Sequence, residues 1–253
     1  MIEVKDQLGN LVSLKENPKR ILSLVPSQTE LLHHFKLEDE VVGITKFCIH
    51  PDEWFKSKTR VGGTKNVDLS KVNELNPDLI IANKEENTQQ DIAALSEKYP
   101  VYVSDVITIE DALLMIRDIG MLTNKQQVAV DLLDEIQDDF NSFPKFEGKV
   151  LYFIWREPYM VCGTQNFIHA IISKLGFTNL IQEPRYIELS ENQIKELSPD
   201  YIFLSTEPFP FSEKHVAELS KITNAEIKIV DGEMFSWYGS RMLKMKKYFD
   251  QLM

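Results

Sequence analysis

The sequence predicts an α/β protein of two lobes joined by a single long helix, and three observations carry that expectation. Apolar strands alternate with amphipathic helices on both sides of the chain's midpoint. One amphipathic stretch, Thr123–Phe143, runs between the two halves without a break. The segment Glu74-Leu-Asn-Pro-Asp-Leu-Ile-Ile81 recurs as Glu196-Leu-Ser-Pro-Asp-Tyr-Ile-Phe203, with Asp200 placed 122 residues after Asp78. The expected boundaries are residues 1–122 for the first lobe, 123–143 for the connecting helix and 144–253 for the second lobe.

The connecting stretch reads as a helix at both ends. Thr123 with Gln126 forms a T-x-x-Q capping box. Val128, Leu132, Leu133, Ile136, Phe140 and Phe143 recur at helical spacing, while Asp131, Asp134, Glu135, Asp138 and Asp139 face elsewhere. Pro144 removes the next donor and disfavours helix at Phe143.

Before this helix, Ile2–Leu14 reads as a hairpin turning at Gly9-Asn10. Arg20–Val25 is an apolar strand stopped by Pro26, and Ser27 with Glu30 is placed to cap the helix that follows. Val41–Ile44 is strand, Thr45–Trp54 a loop, and Arg60–Asn66 a glycine-bearing loop. Leu69–Leu75 is a short helix, Leu79–Ala82 a buried strand, and a helix then runs to Lys98. Val101–Val103 is strand, and Ile109–Ile119 is a helix ended by Gly120. After the connecting helix the pattern restarts. Lys149–Trp155 is a strand, with Tyr159–Cys162 pairing back on it. Thr164 caps a helix ending at Gly176, Tyr201–Leu204 and Ile227–Val230 are strands, and Ser240–Leu252 is the last helix. The acids of the repeated segment read as cap and turn residues rather than catalysts.

Bulk properties narrow the function. With 43% hydrophobic residues, the 253-residue chain has ample core. Its net charge of −11 leaves no basic surface for nucleic acid. No apolar run is long enough to span a bilayer, and the first residues lack the features of a secretory leader. The expected location is therefore extracytoplasmic if a leader was removed, and cytoplasmic if Met1 is the native start. Two distant cysteines make no disulfide framework. A monomer is expected.

Candidate chemistry gathers at the strand ends, where ligands of open α/β sheets bind. Cys48 and His50 form the most chemically loaded pair, because a thiolate and an imidazole two residues apart suit a soft or borderline metal. A buried thiol beside a loop histidine is the plainer alternative. Glu85 and Glu86 follow a strand and would face a cationic or amide-bearing ligand, or simply start a helix. Arg156 is placed to anchor a carboxylate or phosphate, or to pair at a strand end. No nucleophile elbow, Walker loop, dinucleotide fingerprint or HExxH pattern is present, so no enzyme activity is expected.

The segments RILSLVPSQTELL, VVGITKF, RVGGTKNVDLSKVNELNPDLIIA, VCGTQNFIHAIISKLGFTNLI and IKELSPDYIFL, taken in order, resemble one family. It is that of the substrate-binding proteins of ABC importers for cobalamin, haem and ferric siderophores, and the likeness is nearest to the cobalamin branch. The resemblance covers the chain from Arg20 onward. It implies two α/β lobes on a rigid backbone helix with the ligand in the cleft between them. The ligand would be a metal chelate, a corrinoid first and a ferric siderophore or haem next, with no covalently bound cofactor. Pro26, Ser27 and Gln28 would form the first contact loop. Gly62 to Lys65, with Gly63, Thr64 and Lys65 as contact candidates, fall where cobalamin binders place an aromatic wall, which Trp54 or Phe47 would supply instead. Phe235 and Trp237 match a late aromatic loop. Trp155 and Tyr159 complete the aromatic candidates, and Ser27, Gln28, Lys65, Glu85 and Arg156 the polar ones. The acids with which such proteins dock onto a permease fall at Ser70 and Asn192, neither of them acidic. A cytoplasmic metal or tetrapyrrole carrier, a sensor, or a metal-handling enzyme with the same cleft is the alternative reading.

Overall fold

The computed structural model describes residues 1–253 and contains two compact units. The first comprises Met1–Val106, Glu110–Gln137 and Tyr238–Arg241, and the second Ile107–Ile109, Asp138–Trp237 and Met242–Met253.

The first unit is built on five parallel strands in the order Thr59–Arg60, Val41–Ile44, Ile21–Ser23, Leu79–Asn83, Val101–Ser104. The three inner strands are almost continuously apolar, as strands covered by helices on both faces must be. Leu22, Leu24, Ile80 and Ala82 pack one side against Val61, Val72, Leu95 and Val103. The amino-terminal strands Ile2–Lys5 and Leu11–Leu14 pair antiparallel, as expected. Their turn is wider than Gly9-Asn10, because the Asp6 carboxylate accepts the backbone N–H groups of Leu8 and Asn10 and closes the loop.

In the second unit the strands Lys149–Trp155, Tyr201–Ser205 and Glu226–Val230 run parallel. Tyr159–Cys162 returns antiparallel on Lys149–Trp155, with Tyr186–Leu189 antiparallel beyond it. Thr178–Asn179 adds a short parallel strand beside Lys149. Leu151, Phe153, Ile202 and Leu204 face a core completed by Ile181, Ile194, Phe211 and Leu219.

The repeat performs the same task in each unit. Asn76 and Ser198 both end a helix in the left-handed conformation, at φ 43° and 45°, just before a proline. The aspartate after that proline then ties down the start of a neighbouring strand. Asp78 accepts the N–H groups of Lys19 and Arg20 at 2.7 and 2.9 Å, and Asp200 accepts that of Lys149 at 2.7 Å.

The connecting helix is unbroken over Gln126–Asn141, roughly 24 Å at about 1.5 Å per residue. Ala129, Leu132, Ile136 and Phe140 form its buried stripe, while Asp131, Asp134, Glu135 and Asp138 are exposed and Asp139 is half-buried. It starts three residues later than expected. Thr123 does not cap it; its hydroxyl donates to the Ile119 carbonyl at 2.7 Å and finishes the preceding helix, which runs through Gly120 to Leu122. Gly120 is there for space, since a Cβ would sit 2.5 Å from the Cβ of Ala129.

Two further caps differ from expectation. The first long helix begins at Pro26 with no side-chain cap, so Ser27 lies inside it, and Glu30 pairs with Arg241 instead of closing a box. Asn166, not Thr164, caps the helix Phe167–Lys174, accepting from the His169 N–H at 2.9 Å. Thr164 instead bridges to Pro184.

Candidate functional site

In the first unit, the carboxyl ends of the strands carry a rigid polar floor. Asn83 ends its strand by accepting the N–H groups of Glu85 and Glu86 on its side-chain oxygen, at 2.8 and 3.0 Å. Asn87 accepts the N–H of Asn83 and donates to the carbonyls of Thr64 and Leu24, which pins the loop to two other strand ends. Gln28 Nε2 donates to Ser104 Oγ at 2.5 Å, and Asn83 Nδ2 donates to the same oxygen at 3.0 Å. The Tyr238 hydroxyl is hydrogen-bonded to Ser104 and Gln28, and burial holds its pKa far above the usual phenol range. Gln28 Oε1 is buried with no hydrogen-bond donor. Burial, then the neighbouring Glu85, raises the Glu86 carboxyl pKa, against the pull of Lys65 and a hydrogen bond from Thr64.

The Thr45–His50 loop turns its side chains in opposite directions. Phe47 is 51% exposed and its ring lies over Gly63, where a Cβ would stand 3.2 Å from Phe47 Cε2. Cys48 points inward, and its sulfur lies 3.1 Å from the hydroxyls of both Thr29 and Thr45. Burial raises the thiol pKa, so Cys48 stays protonated, and the thiol is a far weaker metal ligand than the thiolate. Of the expected Cys48–His50 metal pair, Cys48 lies in the interior, packed between the Thr29 and Thr45 hydroxyls. His50 is half-buried, and no group of three His, Cys, Asp or Glu side chains gathers here or elsewhere. Trp54 is 2% exposed, edge-on to His33 and under Lys58, so the open aromatic face of this unit is that of Phe47. Pro26 is half-buried and Ser27 buried beside Gln28; Thr64 is buried, and Lys65 and Glu85 are exposed, with the Lys65 ammonium donating to the Glu85 carbonyl.

In the second unit, Trp155 ends its strand 41% exposed, with its ring edge-on to Phe209 at 5.6 Å. Phe209 packs in turn on Phe211 and His215. Arg156 Nε donates to Glu218 at 2.8 Å and its Nη1 to Glu157, so this guanidinium is held by acids of its own unit. Tyr159 is half-buried with its ring against Phe153. Phe235 is fully buried between Tyr152, Phe203 and Phe249, which makes it core; Trp237 is buried. A surface cavity of 740 Å³ lies at the other end of this sheet, beside Asp200, Tyr201 and Glu226, and takes in none of these residues.

The sequence pattern misses Tyr238, Ser104 and Phe209. Tyr238 and Phe209 sit within or beside aromatic-rich strand ends, a signal that was available. Ser104 carried none, because a serine closing a strand is unremarkable until its partners are known.

The fold has known counterparts. A lipoprotein of Bacillus subtilis named as an uncharacterized ABC transporter substrate-binding protein is 26% identical over 217 residues, covering 79% of this chain and 68% of its own. The vitamin B12-binding protein BtuF of Vibrio cholerae superposes with a TM-score of 0.73 at 22% identity, covering 91% and 94% of the two chains. The catecholate-siderophore-binding protein VctP of the same organism gives 0.79 at 16% identity, covering 98% and 99%. The family model described as "Periplasmic binding protein" matches residues 21–226, and the chain belongs to that family.

Proposed function

We propose that this protein is a solute-binding protein that captures a metal chelate, a corrinoid first, for uptake by an ABC importer. One observation carries the reading. Most of the chain's aromatic rings are buried, but Phe47 and Trp155 are left 51% and 41% exposed at the carboxyl ends of the two sheets. Large apolar faces exposed at strand ends suit a broad, flat ligand held by stacking and a few polar anchors. Lys65, Glu85, Ser27 and Gln28 are the anchors assigned in the first unit, and Tyr159 joins Trp155 in the second. Arg156 is assigned a supporting role, since Glu157 and Glu218 already hold it. His50 is retained as the candidate axial group on its imidazole chemistry. The mechanism is reversible binding without bond chemistry. The place of action is outside the cytoplasmic membrane, as a relative named as a substrate-binding lipoprotein supports. Docking onto a permease would fall to Glu74, Glu191 or Glu196, because Asp68 uses its carboxylate to cap its own helix.

Titration of the purified protein with cobalamin, haem and a ferric siderophore, read by tryptophan fluorescence and visible absorbance, tests this. A saturable change with a corrinoid is expected. Silence toward all three removes the proposal.

A further inference from the structure

Resting on the solute-binding reading, we propose that Gly63 is a positioning residue of the site: it is the seat on which the Phe47 ring is set to receive a ligand. Gly63 acts on the ligand through Phe47 and not by touching it.

The backbone does not require glycine at this position. Its neighbour Gly62 has φ 103°, which side chains rarely adopt, but Gly63 has no positive φ. Gly63 stands in a short ribbon, with Gly62 and Gly63 paired antiparallel to Val67 and Asn66. A residue without a side chain weakens such a strand and marks a close approach. What Gly63 supplies is space. A Cβ there would stand 3.2 and 3.9 Å from Phe47 Cε2 and Cδ2, and 3.3 Å from Lys46 Cε. The ring and the lysine stem thus close on the same bare stretch of backbone. They leave Gly63 buried, although Phe47 and Lys46 are themselves exposed. The Lys46 ammonium lies 5.0 Å from the centre of the Phe47 ring, a cation–π distance.

The loop is fixed on both sides of the ring. The Lys46 N–H donates to the Gly62 carbonyl at 2.8 Å, and the Phe47 N–H to Thr45 Oγ1 at 3.3 Å. Cys48 is held inside between the Thr29 and Thr45 hydroxyls. Rotation of the Phe47 side chain is the freedom that remains, and the seat settles it. A wall already turned toward the ligand spends no binding energy on being ordered. A side chain at position 63 would push the ring away, and an exposed ring has solvent to move into. The cost therefore falls on ligand affinity rather than on the fold.

A double-variant cycle tests this. Native affinity is measured for cyanocobalamin, haemin and a ferric catecholate siderophore by absorbance and tryptophan-fluorescence titration. The tightest binder is then carried through Gly63→Val, Phe47→Ala and the variant with both changes. Gly63→Val is expected to weaken binding by about fivefold or more in a folded protein. In the Phe47→Ala background the same substitution is expected to change it by less than about twofold. An equal loss in both backgrounds overturns the proposal, because Gly63 would then act without the ring. Native affinity in Gly63→Val overturns it as well. Should Gly63→Val not fold, Gly63→Ala runs the same cycle, and the same outcomes decide. If a chelate binds and the cycle shows no coupling, the seat falls while the solute-binding reading stands. If none of these chelates binds, both fall.

Discussion

Glu30 and Arg241 lie 211 positions apart in sequence, yet Arg241 Nε donates to Glu30 Oε2 at 2.7 Å, with the side chains 13% and 6% exposed. The pair fastens a short segment, Tyr238–Arg241, to the first helix of the first unit. Removing one partner of a buried pair strands the other charge. Arg241→Ala should therefore cost about 3–5 kcal/mol, read as a lower urea midpoint. Replacing both, Glu30→Leu with Arg241→Met, should recover much of that loss. A single variant as stable as the native protein would show the pair to be incidental.

Trp155 rests on Phe209 but keeps an open face. Trp155→Ala should weaken chelate binding by a few kcal/mol at most, while stability moves by no more than about 1 kcal/mol. Calorimetric titration beside a thermal melt separates the two effects. Unchanged affinity takes Trp155 out of the site.

Gly120 leaves room for Ala129. Gly120→Val should push apart the helices Ile109–Leu122 and Gln126–Asn141 and cost about 1–3 kcal/mol, measured by denaturant unfolding. An equal or higher midpoint would mean the contact relaxes freely.

Glu86 sets a pH dependence of stability. Its folded pKa is raised, chiefly by burial, above the unfolded value near 4.5, so the folded state holds the proton more tightly. The stability it contributes is complete below the unfolded pKa and is lost as pH rises through the folded one. Glu86→Gln should thus melt higher than the native protein at pH above that window, and the gap should close toward acid. Parallel melting curves across the range would contradict this.

Cys48 and Cys162 are both buried. The Cys48 thiol, raised in pKa by burial, should resist a disulfide reagent in the native protein. Absorbance of the released thiol should report both cysteines only after denaturation. Rapid native labelling would return Cys48 to the list of reactive groups.

The patterns that proved legible were those with a periodicity or a fixed stop. The strand Lys149–Trp155 and the helix Leu69–Leu75 fall where the sequence puts them, because apolar runs and proline punctuation are local signals. Caps were read less well. Thr123, Ser27 and Thr164 each have the right side chain for a cap, but each is claimed by another contact or position that only the folded chain supplies. Aromatic candidates split for the same reason. Trp54 and Phe235 are as apolar as Phe47 and Trp155, and nothing in their neighbours in sequence says which are covered. The polar floor around Ser104 joins residues from four distant stretches, and such long-range hydrogen bonding leaves no mark in a single sequence.

The return of Tyr238–Arg241 to the first unit means that neither half is one continuous length of polypeptide. A fragment cut after Gln137 would lose the guanidinium that neutralises Glu30 and the phenol that closes over Gln28. Attempts to excise the amino-terminal half for separate expression should therefore yield an unstable product unless those four residues are grafted back.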